Sequence, residues 1–130
     1  MVVHLARYRR DDDIGWGLVA GDGLAPLEGS YRSTADLISG ASSDWQSAAE
    51  RTATVALNDV TVLSPVTTPC RVMCLGANYR QHAIESGMDP DRRAFNVFFD
   101  KTDASVTGPD MPVVRPAHVQ LLDYEIELAL

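Results

Sequence analysis

The stretch Leu122-Asp123-Tyr124-Glu125-Ile126-Glu127-Leu128-Ala129-Leu130 alternates acid and hydrocarbon with a period of two. Side chains on a strand point alternately to opposite faces, so the pattern predicts a β-strand with Asp123, Glu125 and Glu127 on one face. Leu122, Tyr124, Ile126, Leu128 and Leu130 share the other. A strand rises about 3.3 Å per residue, which sets the Glu125 and Glu127 backbones about 6.6 Å apart, close enough for both carboxylates to converge on one hard cation. Carboxylate oxygens are the ligands that Mg²⁺ and Mn²⁺ prefer. Taken alone, an E-x-E pair is more often an amphipathic strand with its acids in water.

At 130 residues with 45% hydrophobic content, the chain is sized for one globular domain or two very small ones. It contains no apolar run long enough to span a bilayer, and Met1 to Arg10 carries charges where a signal peptide would be apolar, so a cytoplasmic protein is expected. The net charge of −7 and the scattered arginines argue against nucleic acid as a partner. Cys70 and Cys74 have no second pair and no histidine at zinc-ligand spacing, and read as buried thiols rather than a zinc site or a disulfide.

Short strands are expected at Val2 to Tyr8 and Ile14 to Val19, with turns at Asp11-Asp12-Asp13 and Gly21-Asp22-Gly23, giving a small β-meander. Ser33 offers an N-cap for a short helix ended by Gly40, Ser43 could start another running to about Arg51, and Val60 to Leu63 reads as a strand. The two prolines of Ser64-Pro65-Val66-Thr67-Thr68-Pro69 interrupt regular structure, which divides the chain into a unit over 1–64 and a unit over 65–130. The second unit is expected to hold a strand at Val72 to Leu75, a helix from Asn78 to Ser86, a strand at Asn96 to Lys101, a Gly108-Pro109-Asp110 turn and the acidic strand. Short strands outnumber helices, as in a β-rich α+β chain.

In the helix, Asn78 is a candidate N-cap, Gln81 stands where the partner of a capping box stands, and Gly87 can supply the left-handed C-terminal residue. His82 and Glu85 are three apart, so they share a face and can hydrogen-bond. A carboxylate that holds one imidazole nitrogen fixes the tautomer and makes the ring a competent general base. A His and a Glu at this spacing are more often an ordinary exposed helical pair. His4 and His118 have no such partner nearby in sequence and read as structural or exposed.

The G-x-N-Y-x-x-H-x-x-E stretch from Gly76 to Glu85, the F-x-K of Phe99-Asp100-Lys101, the Gly108-Pro109-Asp110 turn and the D-Y-E-x-E-L of Asp123 to Leu128 together resemble the fumarylacetoacetate hydrolase family, in order and in spacing. The likeness runs from about Pro65 to Leu130, and the first 60 residues fit loosely the small N-terminal domain that many members carry. The resemblance implies a small N-terminal β domain followed by the start of a mixed β-roll, truncated within the acidic strand. It implies a metal-dependent enzyme of 2-oxo acid or aromatic catabolism, usually a homodimer. Glu125 and Glu127 would be ligands to Mg²⁺ or Mn²⁺, and His82 with Glu85 the dyad that activates water on a lid helix. Lys101 matches a motif position near the site, Arg80, Arg92 and Arg93 are candidates for a second substrate carboxylate, and Phe99 is expected in the core.

The expected activity is hydrolysis of a carbon–carbon bond in a β-diketo acid such as an acylpyruvate, with decarboxylation or tautomerisation of a 2-oxo diacid as the alternative. Leu75 stands where fumarylacetoacetase itself has a further acidic ligand, which points to the broader acylpyruvase-like members. A third carboxylate ligand is expected on a later strand, beyond Leu130. The 130-residue chain by itself is expected to be inactive, either a truncated product or a non-catalytic module.

Overall fold

The structure, a computed structural model, describes residues 2–40, 51–91, 95–124 and 127–129. The first part is built on a hairpin of β1 (Leu5–Arg10) and β2 (Asp13–Ala20), antiparallel with Leu5 opposite Leu18 and Arg10 opposite Asp13. The loops after β1 and β2 each turn on a residue of positive φ, Asp11 at 53° and Gly21 at 59°, types that tolerate the left-handed region. β3 (Gly23–Pro26) pairs with β2, β4 (Val55–Ala56) with β3, and β5 (Thr61–Leu63) with the other edge of β1. The result is a five-stranded antiparallel sheet in the order β4-β3-β2-β1-β5.

Both faces of this sheet are covered. On one, Ala6, Tyr8, Leu24 and Val55 pack together; on the other, Leu18 meets Ala25 and Trp16 meets Leu37. Leu37 belongs to α1 (Thr34–Gly40), which lies on that second face, and the Trp16 indole N–H donates to the Tyr31 carbonyl at 3.2 Å. Leu24 and Leu37 are 0% and 2% exposed, so burial of each contributes about 1.5–3 kcal/mol. The expected cap of α1 is present as a reciprocal box: Asp36 N–H donates to Ser33 Oγ and Ser33 N–H to Asp36 Oδ2, both at 3.0 Å.

The proline segment is stitched to the start of α1. Thr34 N–H donates to Thr67 Oγ1 at 3.0 Å, Thr67 N–H to Thr34 Oγ1 at 3.2 Å, and Thr34 Oγ1–H to the Pro65 carbonyl at 2.5 Å. Beyond it, β6 (Val72–Gly76) and β7 (Val97–Lys101) form a separate two-stranded antiparallel sheet with α2 (Arg80–Glu85) between them in sequence.

The β-rich architecture agrees with the expectation, and seven elements lie close to where the sequence puts them: β1, β2, α1, β5, β6, α2 and β7. β3 and β4 were not expected. β3 carries Gly23 and Pro26, which read as turn residues, and it is a strand because β2 and β4 pair with it. Phe99 is 40% exposed rather than in the core, because every residue of β7 is exposed on a two-stranded sheet. Cys70 and Cys74 are free thiols, half-buried rather than buried. The expected helix from Ser43 falls mostly on residues 41–50, outside the described ones, and Arg51 itself lies in a bend. The expected acidic strand is absent over the described residues 121–124 and 127–129, which take no regular structure. An alternating pattern sets the faces of a strand once it is paired but supplies no partner for its backbone groups.

Leu24→Ala removes the most enclosed side chain and is expected to destabilise the fold by about 2–5 kcal/mol, whereas Ser33→Ala loses one cap at about 0.5–2 kcal/mol. Urea unfolding followed by far-ultraviolet circular dichroism measures both.

Candidate functional site

α2 starts one residue later than its sequence suggests. Tyr79, in extended conformation at φ −86° and ψ 138°, is the N-cap and makes no side-chain capping bond, where Asn78 was expected. Ala77 just before it has a φ of 48°, which turns the chain out of β6 and shifts the helix start. The expected capping box through Gln81 does not form: its Nε2 instead donates to Glu85 Oε1 at 3.0 Å, along the helix at i to i+4. The end of the helix follows expectation. Gly87 has a φ of 74°, its N–H donates to the Ile84 carbonyl at 2.9 Å, and Met88 N–H reaches Ala83 O at 2.8 Å, the paired bonds of a Schellman stop.

Ala83, 1% exposed, anchors the helix on its inner side. His82 beside it is half-buried and Glu85 exposed. Both line a cavity of about 410 Å³ with Tyr79, Ser86, Asp123, Tyr124 and Glu127. Asp123, Tyr124 and Glu127 therefore lie against α2, and His82, Glu85 and Glu127 face a common space although Glu127 is 45 positions from His82. Glu125 lies outside the described residues.

Three further lining residues were not singled out for this role: Tyr79, Ser86 and Tyr124. Period-two reasoning places Tyr124 on the apolar face, opposite Asp123 and Glu127. With the segment outside a ladder that alternation is not enforced, and all three line the same cavity. The tyrosine of the G-x-N-Y motif was the available signal for Tyr79.

Lys101 and Arg80 stand elsewhere. Lys101 Nζ sits 5.5 Å from the Phe99 ring centroid, a cation–π contact on the exposed β7. Arg80 makes a two-pronged pair with Asp91, Nη1 to Oδ1 at 2.6 Å and Nη2 to Oδ2 at 3.1 Å, which ties the chain after α2 back to the helix. Neither side chain lines the cavity. Arg92 and Arg93 lie outside the described residues.

The titratable lining of the cavity, beyond its two phenols, is one imidazole and three carboxylates, Glu85, Asp123 and Glu127, so the space is electronegative. Oxygen donors of this kind match Mg²⁺ or Mn²⁺ in chemistry. They do not match in number: among the described residues no group of three or more His, Cys, Asp and Glu side chains is placed to hold a metal ion. Asp123 also engages Oδ1 with the Tyr124 N–H at 2.9 Å.

Residues 71–130 match the family described as fumarylacetoacetate hydrolase, C-terminal, and residues 3–65 match the Rv2993c-like N-terminal family. A mitochondrial oxaloacetate tautomerase of Homo sapiens is 38% identical over 73 residues, 56% of this chain and 23% of that protein. A mitochondrial oxaloacetate tautomerase of Xenopus laevis is 32% identical over 72 residues, 55% of this chain and 22% of its own length. A fumarylacetoacetate hydrolase domain-containing protein 2 homolog of Dictyostelium discoideum is 32% identical over 62 residues, 48% of this chain and 20% of its own. The matched stretch thus spans less than a quarter of these relatives. No solved structure matches the chain.

Calorimetric titration of the chain with Mg²⁺ or Mn²⁺ is expected to give a dissociation constant on the order of 10⁻³ M or weaker, because the carboxylate set is not closed. Micromolar binding that Glu125→Gln abolishes would show instead that Glu125 completes a centre.

Proposed function

We propose that this protein moves a proton on a 2-oxo diacid, interconverting enol and keto forms, a reading that starts from its membership of the fumarylacetoacetate hydrolase family, matched over residues 71–130. The names of the relatives support this reading over carbon–carbon hydrolysis. The two family matches, meeting between residues 65 and 71, support a small N-terminal domain joined to the start of the catalytic one.

The observation that carries the proposal is the convergence of His82, Glu85 and Glu127 on one cavity. Enol-to-keto conversion removes the proton on the enol oxygen and delivers one to the adjacent methine carbon, breaking no bond between heavy atoms. Such a reaction needs a group that both accepts and donates a proton near neutral pH, which an imidazole does. His82 is the imidazole in this cavity. Glu85, one turn along with its Oε1 accepting from Gln81 Nε2, would be the residue that orients it. Residues of α2 form one wall and Asp123, Tyr124 and Glu127 the other, so substrate would enter between them.

A dianionic substrate facing three carboxylates is repelled by about 4 kcal/mol for each close pair at the effective dielectric of a protein surface. Members of the family generally use a divalent cation, and Glu125 and Glu127 are the side chains this chain would contribute toward one. Such an ion would offset that repulsion and polarise the 2-oxo group. The chemistry left to the chain's own residues is proton transfer by His82 and orientation by Glu85.

The test follows the enol of oxaloacetate by its ultraviolet absorbance in the full-length protein. His82→Ala is expected to lower kcat by about 10²-fold or more, within the range of general acid–base contributions, with the fold retained. Unchanged turnover in that variant would overturn the role of His82. Release of pyruvate from an acylpyruvate, without acceleration of the enol conversion, would replace tautomerisation with hydrolysis at the same cavity.

A further inference from the structure

A second cavity, of about 380 Å³, opens where the first sheet meets the later part of the chain, and none of the chemistry above uses it. Arg7 and Arg32 both line it, and both also line a neighbouring space of about 330 Å³ beside Trp16 and Tyr31. Arg7 projects from β1, where it stands opposite Trp16 on one side and Leu63 on the other, and is half-buried. Arg32 is exposed in the loop just before the Ser33 cap. Across from them, a Cβ on Gly108 would come within 3.1 Å of the Ser64 backbone N, so the loop around Thr107 is pressed against the end of β5 and closes the space.

What sets these arginines apart is their place in a cavity: Arg9 and Arg10 also lack an ion pair among the described residues, but they stand exposed on β1. The chain has 18 acidic and 11 basic residues, and Arg51, Arg71 and Arg80 each stand within ion-pair distance of a carboxylate. Among the described residues, Arg7 and Arg32 have no ion pair or hydrogen bond from their guanidinium groups. A guanidinium half-withdrawn from water without an anion leaves strong donors unused. The hydroxyls in the same cavity divide in two. Ser64 and Thr67 are engaged locally, Ser64 Oγ with Val66 and Thr67 Oγ1 with Thr34, whereas Thr68 and Thr107 have no side-chain hydrogen bond among the described residues.

We infer that this cavity binds a small dianion, a phosphate group or a short dicarboxylate, through Arg7 and Arg32 with Thr68 and Thr107, at a place distinct from the His82 cavity. Guanidinium groups grip such oxygens in pairs, and hydroxyls complete the shell. Because the walls come from β1, the proline segment and the 106–108 loop, an occupant stabilises the junction between the two parts of the chain.

The experiment is calorimetric titration of the 130-residue chain with inorganic phosphate and, separately, with malonate, in about 0.15 M sodium chloride so that unspecific attraction is screened. Saturable binding by at least one probe is expected. Arg32→Gln, a change at an exposed position, and Arg7→Lys, which keeps the charge but loses the fork, should each weaken it about tenfold or more. Arg71→Gln, which removes a cation just before β6 that pairs with Asp100, should leave it unchanged. Saturation by phosphate alone assigns the site to a phosphorylated ligand, by malonate alone to a dicarboxylate, and by both to small dianions in general. No saturable binding, or binding that survives both Arg32→Gln and Arg7→Lys, overturns the inference.

Discussion

A β-strand exists only where a neighbour takes up its backbone N–H and C=O groups, and that requirement decides most of what is ordered here. β1 is paired on both edges, by β2 and β5, and β2 and β3 likewise have two neighbours each, so the first part of the chain closes into one sheet with an apolar layer on each face. β6 and β7 have only each other, and their outward residues Met73, Val97, Phe98 and Phe99 stay exposed. Residues 121–124 and 127–129 have the composition of a strand and no ladder.

The cavity at His82 depends on this hierarchy. α2 has six residues, too short to be stable by propensity alone, and it is held by the burial of Ala83, the stop at Gly87 and the Arg80–Asp91 clamp. The helix is thereby fixed at both ends while His82 and Glu85 face the same space as Asp123 and Glu127. That arrangement concentrates negative charge around one imidazole. It suits a reaction in which a proton is moved and an anionic intermediate needs a compensating cation, and it explains why carboxylates alone make a poor cradle for an anionic substrate.

Positive charge is distributed in the opposite way. Arg71 and Arg80 have carboxylate partners, whereas Arg7 and Arg32 stand at the junction of the two parts with none among the described residues. The two arginines thus line a cavity at the seam, apart from the one lined by His82 and the carboxylates of Glu85, Asp123 and Glu127. The Thr34 to Thr67 hydrogen bonds hold the same seam from the other side, so the proline segment is a structural joint rather than a free tether.

Local chemistry was legible wherever a single residue type dictates backbone conformation or capping. Ser33 specified the start of α1, Gly87 the end of α2, the alternations around Tyr8 and Trp16 the first hairpin, and the four motifs in register from Gly76 to Leu128 the likeness to the family that matches residues 71–130. Tertiary structure decided the rest. β3 became a strand despite Gly23 and Pro26 because two neighbours pair with it. The acidic alternation around Glu127 did not become one over its described residues, which lets Tyr124 line the cavity beside Asp123. The physical reason is common to all of these: a cap or a left-handed glycine is satisfied by atoms a few positions away, whereas a strand, a cavity wall or an unpaired arginine is defined by groups that only the folded chain brings near.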